Sequence, residues 1–227
     1  MKTLGFIGTG GMGSGMAANL IKAGYSLVVT DLNRAQAKGL ESQGATFVDS
    51  PKAVAEKCEL VLSMLPHNGA VRAVATGKGG LAEATSGARV WIDFSSIDKE
   101  TIVSASGELA KKGWIVVDAS AGGVEEVAAA GQLALWLSGS KELFDEHQPI
   151  FKAMGKSILH VGELGNAKLV KNAMAMLAAV QHMSLVEIAS LLKKGGLDEA
   201  TFQNILKNSQ QDSVATRRIM EIVVSRN

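Results

Sequence analysis

Cysteine is nearly absent: Cys58 stands alone in a chain of 227 residues. An intrachain disulfide is therefore excluded, and a thiolate-held metal cluster has no set of ligands to draw on. A reducing, cytoplasmic setting fits this usage. A large excess of charge is missing too. Lysine and arginine number 23 against 22 acids, which argues against a nucleic-acid backbone or an anionic membrane as the main partner. The histidines, His67, His147, His160 and His182, are scattered without metal-ligand spacing, so no metal is expected. Uninterrupted apolar runs are scarce. The one after Lys2 breaks at Gly8, too short for a secretory signal. Residues 173–192 are broken by Gln181, His182 and Glu187, which reads as a helix buried in protein rather than in lipid. No internal repeat or low-complexity linker is visible.

What is present is an apolar fraction of 47%, enough for a sizeable core. Short apolar runs of strand type lie at 4–7, 27–30, 60–64, 90–93 and 114–118, with helix-type segments between most of them. Gly24 ends a helix over 12–22, Gly44 stops one over 34–42, and Ser50-Pro51 is an N-cap followed by proline at the first helical position. Such alternation predicts a parallel sheet covered on both faces. Runs at 133–137 and 157–161 add strands at its far edge. The pattern then changes: 166–194 holds no breaker and predicts one helix of roughly 40 Å at about 1.5 Å per residue. Gly195-Gly196 ends it, Asp198 caps a helix through about 207, and a last helix follows.

The stretch Gly8-Thr9-Gly10-Gly11-Met12-Gly13 fits G-x-G-x-x-G, between a strand and a helix, and Asp31 closes the second strand. Each part has a physical task. Gly8 permits the tight turn, Gly10 lets a pyrophosphate approach the backbone, and Gly13 lets the helix lie close to the strand. The phosphates then meet unpaired N–H groups at the positive end of the helix dipole. Asp31 would accept hydrogen bonds from the adenine ribose and repel a 2′-phosphate, favouring NAD over NADP. Arg34, beside Asn33, keeps NADP open. The alternative is a glycine turn with a solvated aspartate. The expected fold class is α/β, a Rossmann-type, mostly parallel sheet over 1–161. A long connecting helix and part of an all-helical domain follow over 162–227.

The segment GFIGTGGMGSGMAANLIKAG resembles the start of the β-hydroxyacid dehydrogenases. SMLPHNGAV from Ser63, DFSSID from Asp93, DASAGG from Asp118 and GELGNAKLVKN from Gly162 follow in family order, so the resemblance covers nearly the whole chain. It implies a nicotinamide-binding domain, a helical domain that forms dimers, and small β-hydroxy acids or semialdehydes as substrates. Leu65-Pro66 resembles the loop under the cofactor, and Ser95 and Ser96 the pair beside the nicotinamide and substrate. Gly122 and Gly123 fall in the turn that holds the substrate carboxylate through backbone N–H groups. Lys171 matches the catalytic lysine, with Lys168 as a competing candidate one helical turn earlier. From residue chemistry alone, a solvated lysine at a helix start is the simpler reading of Lys171, and the match to the family motif is what favours catalysis. Hydride transfer moves no proton by itself, so an acid–base is needed. Burial and the positive nicotinamide would lower the proton affinity of a lysine into a useful range.

Four departures qualify this. Met174 and Ala175 stand where the family places an asparagine that holds the substrate hydroxyl. Gly122, Gly123 and Val124 replace a serine and two glycines, with Ser120 a partial substitute. Lys99 replaces a proline. The resemblance also implies further helices beyond Asn227, so this sequence is either part of a longer enzyme of unusual specificity or one of weakened activity. Two other readings stay open: an imine-type reductase on the same fold, and a non-catalytic NAD(P)-binding protein. Pairing with a second copy through the helical region is expected.

Overall fold

The computed structural model describes residues 2–225. Eight strands alternate with helices along the first two thirds of the chain. They are β1 (Thr3–Ile7), β2 (Ser26–Thr30), β3 (Thr46–Phe47), β4 (Leu60–Ser63), β5 (Val90–Asp93), β6 (Ile115–Gly122), β7 (Leu133–Ser138) and β8 (Gly155–His160). Between them run α1 (Gly11–Lys22), α2 (Lys38–Glu41), α3 (Pro51–Ala55), α4 (Asn68–Thr76), α5 (Lys99–Ala110), α6 (Glu125–Ala129), α7 (Lys141–Glu146) and α8 (Gln148–Met154). Then come only helices: α9 (Asn166–Lys194), α10 (Glu199–Lys207) and α11 (Val214–Ser225).

The strands form one sheet in the order β3-β2-β1-β4-β5-β6-β7-β8. β1 to β6 are mutually parallel, β7 runs antiparallel to β6, and β8 is parallel to β7. The order reverses at β1 and β4, which opens a crevice at their carboxyl ends, the usual place for a nucleotide in such a sheet. Both faces are covered, as the near-continuous apolar strands require. One core packs Leu4, Phe6, Leu62, Ile92 and Phe151 on the α1 and α8 side. The other packs Ile7, Val61, Val71, Trp91 and Ile102 on the α4 and α5 side.

The chain divides into two compact units, Met1–Lys171 and Asn172–Asn227. In the second, Leu185, Phe202, Ile219 and Met220 form a small core of their own. Much of α9 is uncovered: Met176, Leu177, Val180, Met183 and Leu191 are each half exposed or more. The expectation that this helix is buried in protein is thus not met among the described residues. By length and composition α9 would also suffice to cross a membrane. The segment 34–42 differs from the continuous helix expected. It is a tight 3-10 turn over Arg34–Ala37, capped by Asn33, that passes into α2.

Candidate active site

The glycine turn does what its spacing predicts. Gly8 has φ +89°, and a Cβ there would meet the Met64 carbonyl at 2.3 Å. A Cβ on Gly13 would fall 2.0 Å from the Gly8 carbonyl oxygen, so helix and strand touch there. Above Gly10 a Cβ would meet nothing within 4 Å. That open space is the cradle a pyrophosphate needs, and among the described residues no side chain caps the first turn of α1. Thr9 is fully buried and binds the acid that ends β2: Asp31 Oδ2 accepts from the Thr9 amide at 2.7 Å and from its hydroxyl at 3.3 Å. The other Asp31 oxygen accepts from the Asn33 amide at 2.8 Å. Arg34 is turned aside, stacked 4.8 Å from the Phe47 ring centre and paired with Glu41 at 3.4 Å. The residues of the turn therefore suit a dinucleotide.

An acid outside the predicted site residues, Glu125, lies beside this cradle. A Cβ built on Gly11 would fall 1.8 Å from Glu125 Oε1. The approach follows from α6 lying close on α1. A Cβ on Gly15 would meet the Ala129 amide nitrogen at 2.8 Å, and Asn19 donates to the Ala128 and Ala129 carbonyls at 2.7 and 3.2 Å. A carboxylate at a helix N-terminus occupies the place a phosphate favours and repels it. Glu125→Gln is expected to tighten NADH by roughly two- to fivefold, the range of about 0.3–1 kcal/mol for one charge at a helix end. Fluorescence titration at low salt checks this; unchanged affinity would mean the carboxylate swings clear of the phosphates.

The remaining predicted residues come from the carboxyl ends of neighbouring strands. Leu65 is buried and Pro66 exposed after β4. His67 is exposed and committed to capping α4, its Nδ1 accepting from the Ala70 amide at 3.0 Å. After β5 the serine pair divides. Ser95 is fully buried; its hydroxyl donates to Asp93 at 2.6 Å and accepts from the Leu65 amide at 2.9 Å. Ser96 is exposed. At the end of β6, Gly122 is partly exposed and Gly123 exposed at φ +146°. Ser120 lies two residues back, fully buried and without a hydrogen-bond partner among the described residues. Lys99 has a task in place of the expected proline. Its stem lies against Gly165, where a Cβ would meet Cγ at 2.6 Å, and its ammonium reaches Asn166 at 3.4 Å.

The two lysines of α9 are placed very differently. Lys168 points inward and is 1% exposed. Its ammonium lies 3.0 Å from Asp93 Oδ2 and 3.1 Å from Asp118 Oδ1, and it donates to the Ala119 carbonyl at 2.6 Å. The Asp118 Oδ1 contact is an ion pair without hydrogen-bond alignment. Asp93 and Asp118 are register partners on β5 and β6, so two buried carboxylates sit side by side and need a cation between them. Asp118 Oδ2 also accepts from Ser138 Oγ at 2.7 Å and from the Ala167 amide at 3.1 Å, which anchors the start of α9. Lys171 is half-buried instead. Among the described residues its one partner is the Ala121 carbonyl at 2.7 Å, beside the Gly122–Gly123 turn. Burial pushes its proton affinity below that of an ordinary lysine.

Comparison with known proteins bears on this arrangement. Residues 3–162 match the family model for the NAD binding domain of 6-phosphogluconate dehydrogenase. The chain is 34% identical over 218 residues to 2-(hydroxymethyl)glutarate dehydrogenase of Eubacterium barkeri, covering 96% of this chain and 72% of that one. The chain belongs to the β-hydroxyacid dehydrogenase family. A second member, 3-hydroxyisobutyrate dehydrogenase of Pseudomonas aeruginosa, is 35% identical over 209 residues, 92% of this chain and 70% of the relative. Among solved structures, the Mycobacterium tuberculosis 3-hydroxyisobutyrate dehydrogenase with L-serine superposes with a TM-score of 0.86 at 28% identity. It is matched over 95% of this chain and 73% of its own. As a β-hydroxyacid dehydrogenase, the protein is an NAD(P)-dependent oxidoreductase of CH–OH groups, and the open cradle over Gly10 suits the cofactor's phosphates.

Proposed function

We propose that the protein interconverts a small β-hydroxy acid and the matching semialdehyde, with NAD(H) preferred over NADP(H). Lys171 is the proposed acid–base. The observation that carries this is the placement of its half-buried ammonium on the Ala121 carbonyl, one residue from the Gly122–Gly123 turn, with no carboxylate partner among the described residues. The nicotinamide supplies the hydride acceptor or donor. Lys171 then takes the hydroxyl proton during oxidation and returns it to the carbonyl oxygen during reduction. As an ammonium it also stabilises the developing alkoxide. Gly122 and Gly123 offer backbone N–H groups to the substrate carboxylate, and Ser96 supplies an exposed hydroxyl. Asp31, together with the diverted Arg34, supports NAD.

A panel of small aldehyde acids and cyclic imines, each offered with NADH and with NADPH, tests the reading. Turnover of an aldehyde acid with NADH is the expected result; turnover of imines alone would overturn it. The uncovered apolar residues of α9 support pairing with a second copy of the chain, to be checked by light scattering.

A further inference from the structure

Gly122 is short of a side chain for a reason visible in the sheet. A Cβ built there would fall 2.7 Å from Cη2 and 3.1 Å from Cζ3 of Trp136. The outer ring of the indole therefore lies directly on the Gly122 backbone, in the space a side chain at 122 would fill. Trp136 stands opposite Ser120 in the antiparallel β6–β7 pair, while Gly122 stands opposite Ala134. Paired residues project from the same face, so Ser120, Gly122 and Trp136 share one side of the sheet. Lys168 and the start of α9 meet that side through Asp118. The turn next to Lys171 is thus walled by an aromatic plane.

Trp136 differs from the other tryptophans in being open to solvent. Trp91 is 0% and Trp114 3% exposed, whereas Trp136 is partly exposed. Its indole N–H makes no hydrogen bond among the described residues. A large, partly wetted ring next to a polar turn gives up that hydration most favourably to a flat apolar group. The hydroxyl of Ser120, which belongs to the same face, is buried and unpartnered, so it supplies no exposed donor in place of a side chain at 122.

Resting on the hydroxy-acid reading above, we infer that Trp136 is a specificity residue. It selects β-hydroxy acids, or their aldehydes, that carry a flat apolar substituent such as phenyl next to the carboxylate. The carboxylate lies on the backbone N–H groups of the turn, and the substituent lies against the indole. Gly122 and Trp136 form one unit: a side chain at 122 is tolerated only when the indole is removed.

The test is isothermal titration of two ligands into the NADH complex, an unsubstituted β-hydroxy acid and its α-phenyl derivative. The phenyl derivative is expected to bind about tenfold more tightly, the scale of one good aromatic contact. Trp136→Ala should abolish that ratio. Gly122→Ser should lose both ligands, and Gly122→Ser with Trp136→Ala should regain the unsubstituted acid. Circular dichroism and NADH affinity control for folding. Equal or weaker binding of the phenyl derivative by the parent protein would overturn the inference, and so would a preference that survives Trp136→Ala. Binding of neither acid by protein that still holds NADH would overturn it together with the hydroxy-acid reading. Selective binding of the phenyl derivative with no turnover on NAD+ would sink only the proposed reaction.

Discussion

Lys171→Met should lower turnover by roughly 10²–10⁴-fold, the usual contribution of a positioned acid–base, while NADH affinity stays almost unchanged. The split follows from where the ammonium sits. It touches the Ala121 carbonyl at the substrate turn, and the glycine cradle is built from β1 and α1. Methionine retains the length and the apolar stem, so packing at the start of α9 is kept and only proton transfer is removed. Equal losses in turnover and NADH affinity would place Lys171 in the cofactor site instead. The pH dependence gives a second readout. Burial lowers the proton affinity of Lys171, so the neutral amine forms at lower pH than the ordinary lysine value of about 10.4. Oxidation needs the neutral base and should rise as pH climbs through that shifted value. Reduction needs the ammonium and should fall through the same value. Stability carries the matching sign. Between the folded and unfolded pKa values the unfolded chain binds more protons at this lysine, so its burial penalty is greatest at low pH and fades as pH rises. Lys171→Met should remove both inflections.

Much of this could be read from residues alone, because local chemistry and tertiary demand coincide. Gly8, Gly10 and Gly13 announce a turn, an open approach and a close contact, and each is found. Ser50-Pro51 and Asp198 cap α3 and α10 as expected, and α9 spans the whole of its breaker-free run. What escaped depends on contacts distant in sequence. The direction of β7 is not written in its apolar run, since an antiparallel and a parallel strand bury the same residues. The short β3 lies below the length at which alternation is visible. Glu125 reaches Gly11 only because α6 packs on α1. Its one signal was the spacing of Gly11, Gly15 and Asn19, which marks a helix face meeting another backbone. Trp136 gave no local signal, and its meaning comes from lying over Gly122. By its place three residues before Lys171, Lys168 is a rival catalyst in the sequence. No spacing along the chain brings it to Asp93 and Asp118.

Lys168→Met should destabilise the first unit by about 3–5 kcal/mol, the cost of removing one partner from a buried ion pair. Methionine matches the volume, so the loss is not a cavity effect. It leaves Asp93 and Asp118, adjacent in register and both fully buried, without the cation that separates them. The cost should spread to the site, because the same carboxylates hold its parts. Asp93 accepts from Ser95, whose oxygen fixes the Leu65 amide, and also from Ser63, which is bound in turn by the Trp91 indole N–H. Asp118 holds the first amides of α9 and so orients the turn of helix that carries Lys171. Lys168 is therefore a positioning residue, and its loss should lower turnover even where the variant is fully folded. Adding Asp118→Asn to Lys168→Met removes one of the two stranded charges and keeps an oxygen for the Ala167 amide. That double variant should recover a large share of the stability in urea titrations, whereas adding Asp118→Asn to the parent should cost stability. If the two substitutions simply add, the three side chains are not an interacting unit and the ion pairs contribute nothing to holding α9 at the sheet.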